Sequence, residues 1–217
     1  MQGNRALSPT LAEVIAACVN LPKPGLHQVF PDHPRPRSAA TLLPLVDADG
    51  HAAVVLTKRA GSLDHGGDWV FPGGRLNDDE SHIDAARREA AEELGINSDD
   101  IEVIGQISTW GPIVTGYVIE TYIGVVRDGV EFQPDHHEVA DIAIVPLAEF
   151  MKSERYLRVP FLPDEERHAA LFEELGRSPQ YGELRHYIVR EDERLWGMQA
   201  DMLFELLKHV TNGEHRF

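Results

Sequence analysis

The stretch from Gly74 to Ile96 constrains this chain more than any other: it reads G-x5-E-x7-R-E-A-A-E-E-L-G-I, with Pro72 and Gly73 just ahead of it. Glu89, Glu92 and Glu93 stand at i, i+3 and i+4, so on an α-helix their side chains project within an arc of about 100°. A neutral solvated face is a poor account of them. Glu89 and Glu93 form a like-charged i,i+4 pair that costs a few tenths of a kcal/mol unless positive charge sits between them. The three carboxylates therefore read as a preformed site for a hard divalent cation. Ile83, Ala86, Ala90 and Leu94 mark the apolar face of the same helix, with Glu93 at its margin. Gly95 is placed to end the helix in the left-handed conformation. Pro72-Gly73-Gly74 reads as a tight turn at the other end, able to direct a backbone carbonyl inward.

Composition limits what such a helix belongs to. The chain has 217 residues, enough to bury one full core, and reads as one domain with attached elements. The expected division is an N-terminal helix and proline-rich arm over 1–38, a central domain over 39–152, and C-terminal elements packed on that domain over 153–217. With 36 acidic against 20 basic residues and a net charge of −16, the chain is ill suited to polymeric nucleic acid, whose phosphates need Lys and Arg. A small phosphorylated ligand stays compatible, because bound divalent ions invert the local field. Cys18 is the single cysteine, which excludes an intramolecular disulfide. No apolar run is long enough to span a membrane and no signal-peptide pattern opens the chain, so the expectation is a cytoplasmic protein.

Ser8-Pro9 predicts a helix start, with Leu11, Val14, Ile15 and Cys18 on one side. The segment from Leu21 to Ser38 reads as an irregular arm. Strands are predicted at Ala39 to Val46 and Ala52 to Lys58, joined by the turn Asp47-Ala48-Asp49-Gly50. Further strands are expected at Ile101 to Ser108, Gly116 to Val126, Ile142 to Pro146 and Tyr181 to Arg190. Helices are expected at Asp164 to Leu175 and Leu203 to Val210.

With every fixed position of the box from Gly74 to Ile96 filled, the chain resembles a Nudix hydrolase. That resemblance implies an α+β fold, an α/β/α sandwich whose mixed sheet is flanked by helices, with the box as a loop, helix and loop packed on it. By position, Glu89, Glu92 and Glu93 resemble the metal ligands, and Gly73 would offer a carbonyl. Glu80 and Arg88 resemble the pair that braces the loop on the helix, with Gly74 and Gly95 structural. Glu92 and Glu93, with Glu138 just ahead of a strand, resemble the catalytic carboxylates. The implied cofactor is Mg²⁺ or Mn²⁺, and the implied partner is a small nucleoside diphosphate derivative, with monomer and homodimer both open.

Leu56-Thr57-Lys58-Arg59-Ala60, then Leu63, His65 and Gly67 before Phe71-Pro72-Gly73-Gly74, is similar to the motif that precedes the box in coenzyme A diphosphatases. Val114-Thr115-Gly116-Tyr117 and Trp196-Gly197-Met198-Gln199-Ala200 look like segments of bacterial members. The chain departs from that pattern at Asp64, where an Arg is usual, and is about one residue shorter between Arg59 and Phe71. Trp69 is closer to general Nudix enzymes. Arg59 reads either as a strand-end surface charge or as a bidentate phosphate ligand, and His65 either as a loop histidine or as a substrate contact. Arg35, Arg37, Lys58, Arg59, Arg155 and Arg158 are candidates for a 3′-phosphate. The function readings are a coenzyme A or acyl-coenzyme A diphosphatase, a Nudix hydrolase for ADP-ribose, a dinucleotide or a damaged nucleotide, and a non-catalytic Nudix-like sensor.

Overall fold

A computed structural model describes residues 8–28, 30–61, 65–113, 115–160, 165–175 and 183–215. In chain order the elements are α1 (Leu11–Cys18), β1 (Gly25–His27), β2 (Arg37–Ala48), β3 (His51–Arg59), β4 (Trp69–Val70), β5 (Gly73–Arg75) and α2 (His82–Leu94). They continue through β6 (Ile101–Trp110), β7 (Tyr117–Val126), β8 (Val139–Pro146), α3 (Leu147–Phe150), β9 (Tyr156–Pro160), α4 (Glu165–Leu175), β10 (Glu183–Arg190), β11 (Glu193–Trp196) and α5 (Met198–Val210).

Side chains that point alternately to the two faces of the central strands, buried on both, build three layers. Ala40 and Leu42 of β2 point to one face, where Ala85, Ala86, Ala90 and Ala91 let α2 lie close to the sheet. Leu43 and Leu45 point to the other, where Val14 and Cys18 of α1 and Met202, Leu203, Leu206 and Leu207 of α5 cover them. Between these helical layers the strands form one mixed sheet in the order β1-β6-β7-β2-β3-β4-β11-β10-β9, with β5 on β2 and β8 on β3. The fold is thus the expected α+β sandwich. No helix among the described residues is long and apolar enough to cross a membrane.

The sheet parts in the middle, and that positions the site. β2 pairs with β3 only from Leu45↔Val54 to Ala48↔His51, around a turn in which Asp49 and Gly50 both have positive φ, as a two-residue hairpin requires. Below that point β2 turns to β5, with Thr41↔Gly73, while Thr57 of β3 turns to Val70 of β4. A seam opens there with α2 lying across it.

Several expectations are corrected. The first helix starts at Leu11, because Thr10 and Glu13 form a reciprocal capping box: Thr10 Oγ1 accepts from the Glu13 amide at 3.3 Å and the Glu13 carboxylate accepts from the Thr10 amide at 2.8 Å. Pro9 is buried instead, its carbonyl accepting from the Ala52 amide. The proline-rich arm is not wholly irregular, since Gly25–His27 runs parallel to β6. Gly73-Gly74 lies in a short strand rather than a tight turn. The last helix spans Met198–Val210 and contains the expected Leu203 to Val210. Leu63, Asp64, Val114, Asp164, Tyr181 and Gly182 lie outside the described residues.

Gly95 ends α2 at φ 64° and ψ 44°, and the 133 backbone passes so near that a Cβ at 95 would lie 1.7 Å from the Gln133 carbonyl oxygen. Gly95→Ala should therefore lose at least ~2 kcal/mol in urea unfolding, the sum of a left-handed non-glycine and a backbone clash. A loss below about 0.5 kcal/mol, the range of a neutral surface change, would show that the Gln133 loop moves aside freely.

Candidate active site

At the seam, Thr57, Arg59, Gly73, Glu89, Glu93 and Glu138 line a cleft of about 220 Å³. Strand alternation places Thr57 and Arg59 two apart on one face of β3. Thr57 interrupts an otherwise apolar run and is almost wholly buried. Its hydroxyl donates to Glu93 Oε2 at 2.9 Å, while the Gly73 amide donates to Glu93 Oε1 at 3.4 Å. Both oxygens of one carboxylate are thus held from the two sides of the seam. Glu93 is only 8% exposed, a correction to its expected place at the margin of the helix. Loss of hydration pushes its carboxyl up to about 7, against the opposing pull of Thr57, Gly73 and Arg59 and with the charge of Glu89 adding to the rise.

Glu89 lies one helical turn earlier, and the glycine facing it has a steric reason to be there. A Cβ at Gly74 would lie 2.3 Å from the Glu89 carboxyl carbon, so any side chain at 74 would expel that carboxylate. Its pKa is raised, first by burial and then, against the pull of Arg88, by the negative charges of Glu92 and Glu138. Glu138 stands on the turn before β8, and its backbone carbonyl accepts from the Ala60 amide at 2.9 Å. That bond brings the turn to the end of β3.

Glu92 faces the other way. Its side chain is 59% exposed and lines an outer groove with Glu80, Asp84, Arg87 and Arg88. The reason is Arg88, whose donors are spread over five contacts: Glu80 Oε1 at 2.8 Å, Glu80 Oε2 at 2.9 Å, Glu89 Oε1 at 2.8 Å, Glu92 Oε2 at 3.3 Å and the Arg75 carbonyl at 2.9 Å. Five contacts match the five N–H groups of a guanidinium. Glu80 is gripped at both oxygens, and the Arg88 guanidinium, helped by the Asn77 amide, holds it at about 2.

Among the described residues no three acidic, histidine or cysteine side chains converge tightly enough to enclose an ion. The sequence-based picture of three clustered glutamates therefore needs correcting: one faces the cleft floor, one is shared with Arg88, and one is turned outward. The donor chemistry still suits a dication. Glu89, Glu93 and Glu138 put hard oxygen donors around one cleft, and burial first, then neighbouring carboxylates, raises the pKa of Glu89 and Glu93. Glu92 needs to break only the longest of the five Arg88 contacts to join them.

His65 does not line this cleft. It sits at φ 60° in the turn between β3 and β4, 3.6 Å from Asp68 and with its ring 6.3 Å from that of Trp196. Two residues that sequence reasoning left unassigned belong to the site. Thr57 was signalled only by being a hydroxyl in an apolar strand. Gln199, near the start of α5, accepts from the Phe71 amide at 3.0 Å and so holds the segment entering Gly73; nothing local in the sequence announces that contact.

Residues 35–164 match the NUDIX domain, and the chain belongs to the Nudix hydrolase family, whose members hydrolyse phosphoanhydride bonds of nucleoside diphosphate derivatives, generally with a divalent ion such as Mg²⁺ or Mn²⁺. It is 33% identical over 178 residues to "Uncharacterized Nudix hydrolase NudL" of Cronobacter sakazakii, covering 80% of this chain and 83% of that one. A Yersinia enterocolitica protein of the same name is 33% identical over 150 residues, covering 68% and 73%. Among solved structures, a MutT/nudix family protein from Enterococcus faecalis shares the fold at a TM-score of 0.50 and 16% identity, over 85% of this chain and 66% of that one.

Glu93 makes a signed prediction for the metal-free protein. Its carboxyl binds a proton more tightly in the folded state, about 7 against the ordinary value of 4.5, so its contribution to stability is fully present below about 4.5 and is lost as pH rises to about 7. That loss is on the order of 3 kcal/mol. Urea midpoints of the chelated protein should fall over this range, and Glu93→Gln should flatten the fall. Parallel curves for the two proteins would mean that Glu93 ionises normally.

Proposed function

We propose that the chain is a Mg²⁺- or Mn²⁺-dependent diphosphatase that cleaves coenzyme A or acyl-coenzyme A to 4′-phosphopantetheine and adenosine 3′,5′-bisphosphate. The observation that carries the reading is that Thr57 and Arg59, from the run resembling the coenzyme A motif, line the same cleft as Glu89, Glu93 and Gly73 of the box. The motif that would choose the substrate and the motif that would cut it meet at one point.

Glu89 and Glu93, with the Gly73 carbonyl and with Glu92 once released from Arg88, are the groups that would hold the ion. A bound dication supplies Lewis acidity there, offsetting the negative diphosphate oxygens and making water easier to deprotonate. The chain's own groups divide the remaining work. Thr57 and the Gly73 amide fix Glu93, so that carboxylate stays in place and is ill placed to move with a proton. Arg59 offers a guanidinium to the diphosphate, where charge grows as the bond breaks. Glu138 lines the cleft from an exposed turn and is the base that takes the proton from the attacking water.

Two measurements test this. With Mg²⁺ present and products separated by chromatography, coenzyme A and its acyl thioesters should be cleaved with higher kcat/KM than ADP-ribose or dinucleotides, and excess chelator should abolish turnover. Faster cleavage of ADP-ribose would reject the coenzyme A reading and leave the Nudix hydrolase; no turnover of any diphosphate would favour a sensor. Glu138→Gln should lower kcat by about 10²–10⁴-fold with KM little changed, as loss of a general base does. A variant within about threefold of the parent, less than a 1 kcal/mol barrier change, would move the base elsewhere.

A further inference from the structure

The proposed substrate carries a third phosphate apart from the diphosphate that is cut, and a chain with net charge −16 must find a local cation for it. Most candidates on the sheet are already committed. Lys58 is paired with Glu193, Arg155 with Glu149, and Arg35 with Glu174 at 3.4 Å. Arg59 faces Glu93 inside the cleft. Arg158 belongs to β9, four strands beyond β3 in the sheet order, a separation of ~19 Å at the usual strand spacing.

Two other arginines converge where β5, the strand that carries Gly73 of the cleft, joins β2. Arg37 pairs with Tyr117 across β2 and β7, and Arg75 of β5 pairs with Ala39, two residues along from Arg37. The period of a strand therefore puts all three side chains on one face. The Arg37 guanidinium carbon lies 4.3 Å from the Tyr117 ring centroid and that of Arg75 lies 5.6 Å from it, so the two are within about 10 Å of each other. Among the described residues neither arginine is in an ion pair with a carboxylate within 4.0 Å. One guanidinium is enough to brace a tyrosine ring; a second beside it adds positive charge that a bound anion would offset.

Both are held on fixed backbone. Arg37 Nη2 donates to the Thr115 carbonyl at 2.8 Å, and the Arg75 carbonyl accepts from Arg88 at 2.9 Å. Arg75 is also only two residues beyond Gly73 of the cleft, ~7 Å along the strand, and a single ribose separates the 3′-phosphate of coenzyme A from its diphosphate.

We propose that Arg37 and Arg75, set about Tyr117, form a second anion site that takes a phosphate monoester on the nucleoside half of the substrate, apart from the diphosphate that is cut. A phosphate monoester carries close to two negative charges at neutral pH and matches two planar guanidiniums. The site rests on the coenzyme A reading for its role but can be tested without it.

The test compares adenosine 3′,5′-bisphosphate with AMP by titration calorimetry on the full chain, for the parent and for R37Q/R75Q. The parent should bind the bisphosphate at least about tenfold more tightly, and the double variant should lose that preference. The kcat/KM ratio of coenzyme A to dephospho-coenzyme A should contract by the same factor. R37Q and R75Q singly should each lose part of the preference, which carries the test if the double variant folds poorly. A parent without the preference, or a variant that keeps it, overturns the site. If ADP-ribose proves the better substrate while the preference still disappears with the arginines, the coenzyme A reading fails and the anion site stands.

Discussion

The grip on the Glu93 carboxylate, by a hydroxyl from β3 and an amide from β5, is the contact on which the site depends. It spans the seam where the sheet parts, so it fixes the distance between two strands that have no ladder between them at that level. It also explains the sequence on both sides. Thr57 must be a donor because an unanswered carboxylate at that depth is costly. Gly73 must lack a side chain because a Cβ there would lie 2.5 Å from the Ala40 carbonyl. The alanines of α2 follow, since the helix must lie close enough to the sheet for Glu93 to reach.

Arg88 solves the opposite problem on the outer side of the same helix. Three glutamates within two turns repel one another, and the guanidinium absorbs part of that repulsion while tying Glu80 and the Arg75 carbonyl to the helix. Burial makes the inner carboxylate harder to ionise, and a cation offsets the charge of the outer ones. The helix thus holds its charges in two different dielectric settings, which keeps it folded before any ion arrives.

The helix and its face were legible because a 3.6-residue period over thirteen residues leaves little choice. β2 and β3 were legible as apolar runs joined by a turn, the pattern of strands buried on both faces. The short strands were not: Trp69–Val70, Gly73–Arg75 and Glu193–Trp196 are too brief to show a period and form only because partners already stand beside them. Spacing along the box could say that three glutamates share a face. It could not say that a neighbouring arginine, with five donors to satisfy, would turn Glu92 outward. Nor could it pair Arg37 with Arg75, thirty-eight positions later, because that meeting is decided by β5 joining β2.

The carboxamide of Gln199 on the Phe71 amide gives the C-terminal helix a stake in the box. The NUDIX match ends at residue 164, yet the strand that supplies Gly73 is entered through a segment anchored from α5. A fragment cut at the end of the matched region would keep Glu80, Glu89, Glu92, Glu93 and Glu138 and lose the tether that sets where the glycine sits. The smallest piece able to present the cleft as it stands is therefore larger than the family pattern, and its boundary is drawn by a single amide.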